Sequence, residues 1–280
     1  MDIQTALDEG IFSLKKNCIE SAKLDAEILM SQIIKKDRKY IILNLKKSLS
    51  SDLYRNYKNL VDVRSKGKPI AYLIKKKSFW KFDFELNDEV LIPRPDTEII
   101  IEQALDVTKF KSKLRILDIG VGSGCILLSI LKERKNFRGV GIDISKKCID
   151  ISKINTLNLG LNKRVKIFKT DIDNLHYGKY DLIISNPPYI KNLDIRYLDR
   201  DVREFEPKLA LDGGIDGISK VRKVINKSSE LIKKGGNLVL EIAFDQKNKV
   251  KKLLEYKGYY INRVVKDYAG NHRCIVSTKK

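Results

Sequence analysis

The chain has 280 residues, 42% of them hydrophobic, which suffices for one large domain or a large and a small one and excludes global disorder. Lysine and arginine total 56 against 36 acids, for a formal charge of +20. Such a field suits a polyanionic or acidic partner. The basic residues are, however, spread along the whole chain and read better as solvated faces, so direct nucleic-acid binding is permitted but not expected.

Cys18, Cys125, Cys148 and Cys274 form no C-x-x-C pair, and His176 and His272 have no second ligand at metal spacing, so no metal site is expected. The chain opens with Met1-Asp2-Ile3-Gln4 and runs into a charged amphipathic stretch, unlike a secretory signal. No apolar run approaches the roughly 20 residues of a membrane span. The expectation is a cytoplasmic protein with free thiols and no membrane association.

Residues 1–75 carry helical periodicity. Ala6, Leu7, Ile11 and Leu14 share one face, and Ala22, Leu24, Ile28, Leu29, Ile33 and Ile34 form a second series. A small helical bundle is predicted. From Phe79 to Leu86 apolar and polar residues alternate as in a strand, Asn87-Asp88 is a turn signal, and Val90, Leu91 and Ile92 supply a return strand. This hairpin, residues 76–92, is predicted to connect the helices to a larger domain of residues 93–280.

Strands are then predicted at 114–119, 140–144, 165–168, 181–185, 237–242, 261–265 and 274–277, the last two as an antiparallel pair. Helices are predicted at 125–133, 146–159, 218–232 and 250–256. This alternation is that of an α/β fold with a doubly wound, seven-stranded, mostly parallel sheet.

The turn after the first of these strands reads Asp118-Ile119-Gly120-Val121-Gly122-Ser123-Gly124. Glycines there let the backbone turn sharply and approach a ligand. The G-x-G-x-G spacing is neither the dinucleotide fingerprint nor a P-loop, and alone it is equally a structural tight turn. Asp143 ends the second strand, 19 residues after Gly124 (143 − 124), where a carboxylate can accept both hydroxyls of a ribose. Its alternative role is a helix cap ahead of Lys146. Asp171 and Ile172, after the third strand, are candidate neighbours of an adenine, or ordinary strand-end residues. Asp118 argues against a pyrophosphate and for a cationic ligand such as S-adenosylmethionine.

Asn186-Pro187-Pro188-Tyr189 follows the fourth strand at its carboxyl end, where ligands of open α/β sheets bind. Two prolines fix φ twice and remove two N–H groups, leaving carbonyls as rigidly held acceptors. Asn186 adds a side-chain carbonyl and borders the cofactor. Together these can orient a planar NH2 group, and Tyr189 offers it a flat face. The bland alternative is a rigid strand-ending turn.

With the cofactor loop, this tetrapeptide resembles the class I, Rossmann-like methyltransferases that modify amino nitrogens. Further segments resemble the release factor glutamine-N5 methyltransferases, the HemK/PrmC family. These are Leu91-Ile92-Pro93-Arg94-Pro95-Asp96-Thr97-Glu98, Lys68-Pro69-Ile70-Ala71-Tyr72-Leu73, Val202-Arg203-Glu204-Phe205-Glu206-Pro207, Leu211-Asp212-Gly213-Gly214-Ile215-Asp216-Gly217 and Asp267-Tyr268-Ala269-Gly270-Asn271-His272-Arg273. Ile119 and Val121 stand where the family commonly has Leu and Thr.

The resemblance implies methyl transfer from S-adenosylmethionine to the glutamine of the Gly-Gly-Gln loop in class 1 peptide chain release factors. Asn186, Pro187, Pro188 and Tyr189 would hold that glutamine, and residues 1–75 would recognise the protein carrying it. A ribosomal-protein glutamine and a DNA adenine are the competing acceptors. Arg94 and Glu98 either anchor the hairpin over the site or form a local ion pair, the second being preferred.

Overall fold

A computed structural model describes residues 1–176 and 178–280. It shows two compact units, Met1–Lys75 with Asp199–Phe205, and Lys76–Leu198 with Glu206–Lys280. The excursion Asp199–Phe205 differs from the expectation of an unbroken second domain. The hairpin groups with the second unit. No helix among the described residues is long and apolar enough to cross a membrane.

The first unit comprises α1 (Ile3–Lys16), α2 (Ala22–Ile34), α3 (Arg38–Leu43), α4 (Ser51–Ser65) and α5 (Ile70–Leu73). Asp2, Asp37 and Ser50 cap α1, α3 and α4 by accepting N–H bonds from the first turn. The core is formed by Ile3, Leu7, Leu14, Leu29, Met30 and Ile41, closed by Tyr57 and Val61 of α4. On α2 the buried face is only partly the predicted one: Ala22 and Leu29 are buried and Ile33 and Ile34 pack against the core. Leu24 is 43% exposed, whereas Asp25 is buried. Asp25 binds Arg64 of α4 at 2.7 Å, so an ion pair occupies a place that hydrophobic periodicity assigns to apolar residues.

The second unit opens with the hairpin β1 (Lys76–Phe79) and β2 (Phe82–Glu85). Its turn lies at Trp80–Lys81, and residues 90–92 form no strand. Trp80 takes the left-handed conformation, φ 55°, which turn propensities do not anticipate for a bulky residue. Two hydrogen bonds and a neighbouring ring contact fix it there. The Trp80 N–H donates to Glu98 at 2.6 Å, its indole N–H donates to Glu133 at 2.9 Å, and Phe79 packs edge-on against Phe84.

The remaining elements are α6 (Glu98–Val107), β3 (Arg115–Ile119), α7 (Cys125–Glu133), β4 (Arg138–Asp143), α8 (Lys146–Asn158), β5 (Val165–Lys169), β6 (Tyr180–Ser185), α9 (Arg200–Phe205, in the first unit), α10 (Ser219–Leu231), β7 (Ile232–Glu241), α11 (Lys247–Tyr256), β8 (Tyr259–Lys266) and β9 (His272–Lys279). The sheet order is β5-β4-β3-β6-β7-β9-β8. The first five strands are parallel, and β9 runs antiparallel to both its neighbours. The seven strands and the terminal antiparallel pair are those expected. β7 begins earlier than predicted because Ile232 already pairs with Tyr180, and the chain loops out before Asn237 pairs with Leu182.

Side-chain alternation distributes the core between two faces. Ile116, Leu182, Ile184, Val239 and Val276 pack with α6 and α7, while Leu117, Ile183, Leu238, Leu240 and Ile275 pack with α10 and α11. By the same parity, Asp118 of β3 and Glu241 of β7 project to the α6 and α7 face, although both are carboxylates.

Candidate active site

The carboxyl ends of β3, β4 and β6 converge on one cavity of about 270 Å³. Its walls include Gly120, Val121, Gly122 and Ser123 after β3, Asp143 at the end of β4, Asp171 and Ile172 after β5, and Asn186, Pro187 and Pro188 after β6. Sequence-distant segments complete it, namely Leu91, Pro93, Arg94 and Thr97 on one side and Pro207, Leu209 and Ala210 on another. A second depression among Lys247, Lys251, Tyr260 and Arg263 contains none of these residues.

Gly120, Gly122 and Gly124 all have positive φ, 80°, 53° and 84°. A Cβ at Gly120 or Gly122 would meet nothing, so there the need is conformational. At Gly124 a Cβ would lie 2.9 Å from Leu128, so close packing of α7 adds to the requirement. The N–H groups of Gly120 and Val121 both donate to the Ile142 carbonyl at 2.9 Å, which pins the loop to β4.

Asp143 is not the cap of α8; Ser145 is. The Asp143 carboxylate instead accepts from Gly122 N–H at 3.0 Å and from Ser145 N–H at 2.9 Å. Each oxygen is thereby fixed with one lone pair used, leaving acceptor capacity toward the cavity. Asp171 accepts from Asp173 N–H at 2.9 Å and so caps a short 3-10 turn while lining the cavity beside Ile172.

Asn186 donates from Nδ2 to Thr97 Oγ1 at 3.2 Å. That bond uses one of the two NH2 hydrogens and leaves Oδ1 as an acceptor. Tyr189 does not line the cavity. Its ring packs on the α10 and α11 core and its hydroxyl donates to Glu241 Oε1 at 3.1 Å. The Tyr189 backbone is clasped from behind, with its carbonyl accepting from Gln246 Nε2 at 3.0 Å. A Cβ at Gly213 would come within 2.8 Å of the Tyr189 main chain, so the 211–217 segment is the rear support of the tetrapeptide.

Arg94 and Glu98 do not pair with each other. Arg94 binds Glu206, whose side chain is almost fully buried and also receives the Ile92 N–H at 3.4 Å. Glu98 holds the Trp80 turn. Asn155, buried on α8, donates to the carbonyls of Ser123 and Glu85 and accepts from Glu85 N–H, tying the cofactor-loop side to the hairpin. Sequence reading missed Thr97, Asn155, Glu241 and Gln246. The available signal was parity, since Glu241 falls on the same buried face as Val239.

Three buried carboxyls have acidities displaced the same way. Burial, followed by the charge of Asp143, holds Asp118 well above the carboxylate range, and both its oxygens lack a partner. Burial also raises Asp143. Burial pushes Glu241 up to about 7 against the opposing influence of Thr97, Arg273 and Tyr189. The thiols of Cys125 and Cys148, also on the cavity wall, are pushed by burial up to about 12 and stay neutral.

A raised native pKa means that the folded chain holds protons the unfolded chain has released. Stability contributed by Glu241 is then full below about 4.5 and falls as pH rises toward 7, by on the order of 3 kcal/mol at 1.36 kcal/mol per unit. Denaturant titrations at pH 5 and pH 8 are expected to show this decline, and Glu241→Gln is expected to flatten it. An unchanged slope in the variant would mean that the proton resides elsewhere.

Comparisons with known proteins show what the chain is similar to. Residues 5–74 match the family model of the PrmC N-terminal domain, and residues 97–204 match that of the methyltransferase small domain. The chain is 36% identical to a release factor glutamine methyltransferase of Clostridium acetobutylicum, covering 100% of this chain and 99% of the other. It is 37% identical to one from Buchnera aphidicola subsp. Schizaphis graminum, covering both chains completely. A solved methyltransferase from Pyrococcus furiosus shares the fold at 19% identity and TM-score 0.53, covering 80% of this chain and 98% of that one.

Proposed function

The chain belongs to the release factor glutamine methyltransferase family, and from that premise we propose that it transfers a methyl group from S-adenosylmethionine to the side-chain amide nitrogen of a release factor glutamine. The observation that carries the reading is the orientation of Asn186. Its NH2 points to Thr97, so its Oδ1 and the carbonyls of the two prolines are the acceptors the tetrapeptide can present to an incoming NH2 group.

The cavity suits S-adenosylmethionine on its donor set. Asp118 is fully buried with two unpartnered oxygens but does not line the cavity, whose own carboxylates include those of Asp143 and Asp171. Asp143 keeps acceptor capacity for ribose hydroxyls, and Ile172 offers an apolar surface at the base end. When bound, the cofactor supplies an electrophilic methyl group.

Asn186 Oδ1 and the proline-flanked carbonyls would hold both amide hydrogens of the acceptor. An amide nitrogen is a weak nucleophile because its lone pair is delocalised. Fixing its two hydrogens turns that lone pair toward the methyl group and favours the nitrogen's developing positive charge. Orientation and electrostatic preorganisation therefore provide most of the rate. The Arg94–Glu206 pair holds the 91–97 strap against the 206–210 segment, closing the cavity wall and limiting water.

The test is incubation of the full chain with purified class 1 release factor and labelled cofactor, with peptide mass spectrometry at the Gly-Gly-Gln loop. A 14-dalton gain on that glutamine, the mass of one CH2 by elementary composition, is expected. Folded, cofactor-binding protein that adds nothing there would overturn the substrate.

A further inference from the structure

The positive charge is denser at one end of the chain than its overall spread suggests. Residues 247–280 hold ten lysines and arginines against two acids, Glu255 and Asp267, so 34 of the 280 residues carry +8 of the +20. They fold into α11, β8 and β9, and β8 is an edge strand of the sheet.

The second depression lies here, with a volume of about 570 Å³. Its wall includes Lys247, Lys251 and Glu255 of α11, Tyr260 and Arg263 of β8, and His272 of β9. α11 turns Val250 and Leu254 into the core. Lys247 and Lys251, one helical turn apart, are left half-buried beside them, with their stems packed and their ammonium groups at the wall. Lys249 and Lys252 of the same helix are exposed and do not line the depression.

Few acids answer these charges. Arg263 is paired with Asp106 of α6. Glu255 is the one acidic side chain on the wall, and among the described residues neither Lys247 nor Lys251 forms an ion pair. Lys247 Nζ lies instead 3.2 Å from His272 Nε2. An ammonium group has no lone pair, so the imidazole must accept there and stay neutral. Desolvation, followed by the charges of Lys247 and Lys266, holds His272 below the ordinary imidazole range. A base pressed against a cation, with no carboxylate between them, is an arrangement that an incoming anion stabilises.

Tyr260, 60% exposed, adds an aromatic face to the same wall. Cations alone suit any polyanion. A planar ring beside them suits a strand whose bases are free to stack, whereas a duplex keeps its bases inside.

We propose that the depression between α11 and β8 binds single-stranded nucleic acid, with Lys247 and Lys251 on phosphates and Tyr260 against a base. The site shares no residue with the methyl-transfer cavity and does not depend on that reaction.

The experiment is fluorescence anisotropy of the full chain with a labelled oligouridylate of about 12 nucleotides, within the range of strand lengths that such grooves cover. Wild-type affinity should fall roughly sevenfold from about 50 to 200 mM salt, as release of two counterions implies. Lys247→Glu/Lys251→Glu should weaken binding at least tenfold. Lys249→Glu/Lys252→Glu makes the same change in net charge on the same helix and should cost less than threefold. Tyr260→Ala should lose about fivefold or more, and Tyr260→Phe should keep wild-type affinity. Circular dichroism verifies the fold of each variant. On adding the oligouridylate at constant pH, the His272 ring resonances should move toward the protonated form, because a nearby anion favours the imidazolium.

A matching deoxy strand separates the two sources of this chemistry: weaker binding assigns the site to RNA, and equal binding assigns it to single strands of either sugar. Equal losses in the two lysine pairs would reduce the site to diffuse charge and overturn the inference. So would undiminished binding by Tyr260→Ala, duplex RNA or polyglutamate bound as tightly as the single strand, or no binding by the wild-type chain at the lower salt.

Discussion

Replacing Asn186 with alanine is expected to reduce kcat by roughly 100- to 1000-fold, the cost typical of deleting one preorganised polar group at a reacting centre. Under the proposed function cofactor affinity should change little, because that reading assigns the cofactor chiefly to the glycine loop and Asp143, on other strands. The two effects separate by measurement: isothermal titration with cofactor, and single-turnover methylation with saturating acceptor. Asn186→Asp is the informative companion. It retains Oδ1 but puts a charged oxygen in place of the NH2 that donates to Thr97 Oγ1. Its activity should fall close to that of the alanine variant. A kcat within a few-fold of wild type in the alanine variant would remove Asn186 from the chemistry and leave the tetrapeptide as a turn.

Asp143→Ala is expected to have the opposite signature, a cofactor Kd weakened by roughly 100-fold or more, as two charge-assisted bonds at about 1.5–3 kcal/mol each imply. Saturating cofactor should restore much of kcat. Part of the loss arises within the protein, since the same carboxylate holds the N–H groups of Gly122 and Ser145. Asp143→Asn isolates that part. Its NH2 must oppose one of the two backbone donors, so the loop loosens even though side-chain size is unchanged. Titration of all three proteins with the cofactor and with free adenosine gives the check. An unaltered Kd for both ligands in Asp143→Ala would exclude Asp143 as the ribose acceptor.

The parallel sheet was legible because strands covered on both faces read as apolar runs, as in Leu182-Ile183-Ile184, followed by turns rich in glycine or proline. The glycine loop and the tetrapeptide were legible as strand-end turns for the same reason: each is a short contiguous word at a strand end. α6 escaped because Ile99-Ile100-Ile101 is a β-branched run with no amphipathic rhythm, and burial against the sheet overrides that propensity. The hairpin register escaped because Trp80 turns with a left-handed backbone held by Glu98 and Glu133, partners 18 and 53 residues away.

The supporting residues of the site were hidden for a related reason. Thr97 is 89 residues from Asn186, and Glu241 is 52 residues from Tyr189. Each in isolation looks like a common helix-start threonine or a strand-ending acid. Only the topology makes them neighbours.

The position of β9 between β7 and β8 has a kinetic consequence. β7 can pair with β6 as soon as both exist, but its other edge stays open until residues 272–279 arrive, and these are the last strand of the sheet in chain order. Arg273 and Cys274, the neighbours of Glu241, come with that strand. A chain still emerging during synthesis can therefore form the glycine loop and the tetrapeptide turn well before the second edge of β7 is covered. Partly made chains would then hold a fold nucleus whose β7 edge is still unpaired.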